Sequence, residues 1–170
     1  MNKHRGFSLI ELLIVVAIIL IIAAIAIPTL LRAKIAANEA SGVGSVRTIT
    51  TAETTYASSW GTGYATNLGF LGGTPAACAA GATATNACIV DPILGTGGKS
   101  GYGFVALGNT PALGVNGGFE VNATPFVVGV TGQRAFCADE SGVIRFNTTG
   151  TAIGTAHGTC SGVATLLVGN

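Results

Sequence analysis

Hydrophobic and polar positions divide the chain into four stretches. After MNKHRG, residues Phe7 to Leu31 read FSLIELLIVVAIILIIAAIAIPTLL, with Glu11 as the only charged residue. At about 1.5 Å of helical rise per residue, its roughly 20 apolar positions match a hydrocarbon core of about 30 Å, so this run predicts a membrane-spanning helix. From Arg32 to about Trp60 the apolar residues thin out into an amphipathic continuation. Val43, Val46, Ile49, Ala52, Tyr56 and Trp60 recur at steps of three or four, a stripe expected to face a sheet. Gly42 and Gly44 each weaken helicity by about 1 kcal/mol and predict a bend or close packing. Residues Gly61 to Ser100 have no sustained periodicity and read as a long connecting loop. From Gly101 onward, short β segments between Gly and Asn turns predict strands near Tyr102 to Leu107, Phe119 to Val130 with Pro125 as an interruption, Gln133 to Ala138, and Val143 to Phe146. Four antiparallel strands are expected.

Lys3 and Arg5 ahead of the apolar run, read with no positive charge close behind it, are expected to orient its N-terminus toward the cytoplasm and so to export everything after about residue 32. A cleavable signal peptide is one alternative, with Ala24-Ile25-Ala26 as a cleavage site, and a plain signal anchor is another. Glu11 argues against both. An acidic residue near the centre of an inserted helix costs about 2.5 to 3.5 kcal/mol, less toward its end, and a targeting signal gains nothing from it. A buried core helix is excluded by size, because a fold this small cannot surround the 16 consecutive apolar residues Leu12 to Ile27.

Composition narrows the classes further. Charged residues make up 9% of the chain against about 25% in an average soluble protein, so an apolar surface must meet something other than water. The formal net charge of +1, with no basic run after the N-terminus, lacks the footprint of a nucleic-acid-binding domain. Cys78, Cys88, Cys137 and Cys160 follow the apolar run out of the cytoplasm and read as two disulfides, with three connectivities possible. A zinc site is disfavoured, since there is no C-x-x-C pair and His157 is the only exported histidine.

A short basic leader, then Gly-Phe-Ser-Leu-Ile-Glu, then an apolar helix containing Pro28 resembles the prepilin signature of type IV pilins and type II secretion pseudopilins. The resemblance implies cleavage between Gly6 and Phe7 by a membrane prepilin peptidase, N-methylation of Phe7, and Glu11 as the fifth residue of the mature chain. It also implies an α+β type IV pilin fold. Residues 1–6 would be the leader, 7–31 a transmembrane and filament-core helix, 32–60 its amphipathic continuation, and 61–100 the αβ-loop. Residues 101–170 would form an antiparallel sheet with a disulfide-bounded C-terminal region. The string GQRAFCADESGVIRF resembles the sheet region of such proteins, and the same likeness implies pairing of Cys137 with Cys160 and hence Cys78 with Cys88. Where related pilins often carry a glycine about eight residues before the proline, this chain has Leu20.

The chemistry of Glu11 agrees with that resemblance. A carboxylate in a water-excluding helical core needs a cation, and a pair at about 4 Å recovers about 4 kcal/mol even at an effective dielectric of 20. The new Phe7 amine of a neighbouring subunit is the expected partner, which would set the register of assembly; its own amine one turn away is the competitor. Pro28 lacks an amide and is expected to kink or locally melt the helix. Asp139-Glu140-Ser141-Gly142 predicts a tight turn flanked by Arg134 and Arg145, as solvated residues or partners of its acids.

No H-E-x-x-H, G-x-S-x-G or Walker A string occurs, so no catalytic residue, cofactor or metal is expected. His157 reads as an exposed loop residue rather than a general base. Asp139 and Glu140 are a poor match to the six to eight oxygens of calcium. Asn122-Ala-Thr and Asn147-Thr-Thr are compatible with glycosylation but common by chance in Thr-rich chains. The expected function is a structural subunit, held in the inner membrane before assembly and in an extracellular pilus afterwards. Its expected partners are copies of itself, related pilins, the peptidase/methyltransferase and the inner-membrane assembly machinery. A periplasmic pseudopilin is the alternative within the family, and a membrane-anchored enzyme or binding module the alternative outside it.

Overall fold

A computed structural model describes residues 7–165 and divides the chain into two compact units, residues 1–34 and 35–170. Helix α1, Leu9–Trp60, is 52 residues long. In the first unit its side chains are nearly all exposed, and by length and composition this part is apolar enough to cross a membrane. The helix continues through Pro28 without a break, so the expected local melting is absent. Proline removes a single amide donor. Next to it the Thr29 hydroxyl donates to the Ile25 carbonyl at 3.0 Å.

In the second unit the later turns of α1 pack on a five-stranded antiparallel sheet, in the order β1 (Gly98–Lys99), β2 (Tyr102–Ala112), β3 (Val115–Pro125), β4 (Ala135–Asp139) and β5 (Arg145–Asn147). The predicted stripe is the packed face. Val46, Ile49, Ala52 and Tyr56 are buried, while Val43 and Trp60 are half-buried at its ends. Gly42 lies against the Tyr102 ring, where a Cβ would sit 3.5 Å from ring carbons, so the close-packing expectation holds there; at Gly44 nothing approaches.

The alternation of β3 assigns its two faces. Phe119, Val121 and Ala123 join the core beneath α1, together with Phe136 and Ala138 of β4. Glu120 and Asn122 point the other way, paired in register with Asp139 and Cys137. They are nonetheless buried, because the C-terminal segment lies across this face, pinned by the Cys137–Cys160 disulfide. The sheet is therefore covered on both sides. Strand β3 stops at Pro125, and residues 126–131 form a loop rather than the predicted continuation, since proline has no amide to extend the ladder. The fifth strand, β1, is only two residues long and pairs with the start of β2.

Residues 61–100 contain more order than expected. Helices α2 (Leu68–Leu71), α3 (Pro75–Ala80) and α4 (Pro92–Gly95) lie within them. Thr74 caps α3 by accepting from the Ala77 amide, and Asp91 caps α4 by accepting from the Leu94 amide. Each cap precedes a proline in the first turn, where the missing amide costs nothing. A disulfide joins Cys78 to Cys88, and Leu71 and Leu94 are buried in the core.

Candidate processing and assembly site

Gly6, one side of the expected cleavage point, lies outside the described residues; Phe7, the other side, is exposed. Ser8 precedes the first helical residue, and the Glu11 carboxylate accepts the Ser8 amide at 2.9 Å. This is half of a capping box: a carboxylate at the third helical position returns to the backbone amide of the cap residue. In the uncut chain Phe7 has no free amine, so Glu11 is held by a dipole rather than an ion. Glu11 thus has a resting partner in the precursor that sequence reasoning missed, although the Ser-x-x-Glu spacing at residues 8 to 11 signals it.

Arg32 and Lys34 are exposed immediately after the apolar run. They set two basic side chains behind the helix against Lys3 and Arg5 ahead of it. The charge rule is therefore balanced, and the flanks alone do not choose an orientation.

The head contains several acids that the sequence reading left unassigned. Glu39 of α1 is buried and accepts the backbone amides of Gln133 (2.8 Å) and Arg134 (3.0 Å) on one oxygen, and Arg134 Nε (2.9 Å) and Nη2 (2.7 Å) on the other. Burial pushes the Glu39 carboxyl up, but these donors outweigh it and hold the group below the usual carboxylate range. The Arg134 guanidinium also lies over the rings of Phe136 and Phe146, at 5.5 and 5.0 Å. The expectation for Arg134 and Arg145 is thereby corrected. Neither pairs with the turn acids: Arg134 goes to Glu39, and Arg145 Nη1 donates to the Val163 carbonyl. The turn itself forms as expected, with Gly142 at φ 73° and its amide bonded to the Asp139 carbonyl.

Glu53 is fully buried and, among the described residues, accepts only the Ala65 amide at 2.8 Å and leaves its second oxygen without a partner. Burial pushes its carboxyl up to about 7. Glu120, also buried, is pushed up by burial, while amides from Gly158 and Cys160 pull it back and the nearby Asp139 and Glu140 push it up again. His157 is half-exposed, with Nε2 3.7 Å from Glu140 Oε1. Among the described residues no group of three or more His, Cys, Asp or Glu is arranged to hold a metal ion.

Comparison with known proteins agrees with the N-terminal geometry. Residues 1–27 match the prokaryotic N-terminal methylation motif. Over 39 residues the chain is 59% identical to the type IV wide pilus major component PilA4 of Thermus thermophilus, a match covering 23% of this chain and 30% of that protein. No solved structure matches. Motif, similarity and a helix-on-sheet architecture consistent with the type IV pilin fold support a type IV pilin-family prepilin.

Proposed function

We propose that the chain is a non-enzymatic structural subunit of a type IV pilus-like filament, cut after Gly6, methylated on Phe7 and polymerised through residues 7–31. The observation that carries this reading is the Gly6-Phe7-Ser8-Leu9-Ile10-Glu11 string, set at the start of an apolar helix within the matched methylation motif. Cleavage by a prepilin peptidase turns the Phe7 amide into an amine. Glu11, until then satisfied by the Ser8 amide, gains a cation to pair with, and the amine of a neighbouring subunit would fix axial register. Pro28 leaves one carbonyl without its helical donor, a point where the helix can bend when subunits pack.

Before assembly residues 7–31 would span the inner membrane with the N-terminus cytoplasmic. Because the basic flanks are balanced, the support for this orientation is the pair of disulfides in the head, which form on the oxidising side of the membrane. An extracellular pilus is favoured over a periplasmic pseudopilus by the similarity to a pilus major component. The test is Glu11→Ala: the variant should be processed and inserted normally yet yield few or no sheared filaments. Full filament yield would contradict the register role, and recovery of the native chain only from periplasmic complexes would favour a pseudopilin.

A further inference from the structure

Two Asn-x-Thr strings have no part in the filament reading, Asn122-Ala123-Thr124 and Asn147-Thr148-Thr149, and neither has proline at its middle position. That pattern is the acceptor of N-linked glycans on exported chains. The structure separates the two. Asn122 lies inside the sheet, opposite Val105 of β2 on one side and Cys137 of β4 on the other. It is buried under the C-terminal segment, and its side-chain amide donates to the Gly154 carbonyl. A glycan has no room there, and the two ladders keep the backbone from bending toward an enzyme.

Asn147 is placed differently. It is the last residue of β5, the outer strand of the sheet, and the chain leaves the ladder immediately after it. Thr148, Thr149 and Thr151 are exposed and Asn147 is half-buried. Its Oδ1 accepts the Thr149 hydroxyl at 3.3 Å and the Gly150 amide at 3.0 Å, and its Nδ2 donates to the Thr151 carbonyl at 2.7 Å. The amide and the hydroxyl two residues on, which a transferase reads together, therefore stand side by side at the surface. Among the described residues no backbone–backbone hydrogen bond joins residues 148–151 to one another, so side-chain bonds close the turn. Water can replace bonds of this kind, which leaves the amide open to release.

We propose that Asn147 is an N-glycosylation site of the head, taking an oligosaccharide from a polyprenyl-diphosphate donor. In the transfer Nδ2 forms a bond to the anomeric carbon and the bond from that carbon to the diphosphate oxygen breaks. The electron pair leaves with the diphosphate, and one amide proton passes to a base of the transferase. The substituted amide keeps one N–H, enough to restore the bond to the Thr151 carbonyl, so the folded turn accommodates the product.

The inference rests on the reading that the head is exported, and one experiment separates the two. The chain is purified from the cells that make it, digested with trypsin and analysed by mass spectrometry. The digest reports the N-terminus, the state of the four cysteines and the peptide that begins at Phe146, after Arg145. The expected result is a glycan on Asn147, removed by an amidase that leaves aspartate in its place, with Asn122 unmodified. Thr149→Ala should abolish it, and Thr149→Ser, which keeps the hydroxyl, should retain it. A chain that begins at Phe7 with both disulfides formed and Asn147 bare overturns the site and leaves the export reading intact. A chain that retains residues 1–6 with four free thiols overturns the export reading and the site with it. Glycan on Thr148, Thr149 or Thr151 in place of Asn147, or a glycan unchanged in Thr149→Ala, also overturns the proposal.

Discussion

Glu39 and Arg134 join the amphipathic half of α1 to the start of β4 through a carboxylate that takes four hydrogen bonds, two from amides and two from the guanidinium. Removing one partner of such a pair strands the other. Because the Arg134 side chain remains 37% exposed, the loss on Glu39→Ala should be about 2 kcal/mol rather than the larger cost of a fully buried pair. Thermal unfolding of the variant with disulfides intact should show this loss. Since the folded pKa is lowered, the contribution is present above the unfolded value near 4.5 and fades as pH falls through the folded one.

Glu53 acts with the opposite sign. Its folded pKa of about 7 exceeds the unfolded 4.5, so the native state binds the proton more tightly and stability falls as pH rises from about 4.5 to about 7. At 1.36 kcal/mol per pKa unit the loss above pH 7 is about 3 kcal/mol. Glu53→Gln keeps an acceptor for the Ala65 amide and should flatten this slope. A melting-temperature profile between pH 4 and 8 that declines as steeply in the variant as in the parent would contradict the assignment.

The two-residue β2–β3 turn places Leu113 at φ 53° and Gly114 at φ 82°, a geometry that asparagine followed by glycine adopts most readily. Leucine is both strained and fully exposed there. Leu113→Asn should stabilise the head by about 0.5 to 1 kcal/mol in denaturant titrations, with an unchanged m-value.

The two disulfides should differ modestly in worth. Chain-entropy reasoning gives about 3.4 kcal/mol for the loop closed by Cys137 and Cys160 and about 2.6 kcal/mol for that closed by Cys78 and Cys88. Replacing the first pair by serine should also release the C-terminal segment from the sheet. Hydrogen exchange at the Gly158 and Cys160 amides, now bonded to Glu120, should rise sharply in that variant and stay low in the other.

The legible parts of this fold are those whose periodicity is long. The stripe from Val46 to Tyr56 announced a helix face packed on a sheet, and the turn-bounded β segments after Gly101 announced that sheet, although not the length of the β2–β3 hairpin. The helices of four to six residues in the 61–100 stretch are too short to show a period, although Thr74-Pro75 and Asp91-Pro92 mark their starts. Nothing in the local sequence marks Glu120 as buried, because alternation says nothing about a distant segment laid over that face. The expectation that Arg134 is solvated or paired with the turn acids fails because its partner is 95 residues distant and carries no local signal. Glu11 was readable as a pairing carboxylate, but its capping role lay in the spacing to Ser8.

The central claim is that this chain is processed between Gly6 and Phe7 and enters filaments in that form. Mass spectrometry of the N-terminal peptide from sheared, purified filaments tests it most directly. The account predicts a peptide beginning at Phe7 and heavier by one methyl group on its α-amine. A filament subunit that retains residues 1–6, or one cut elsewhere in the apolar helix, would contradict it.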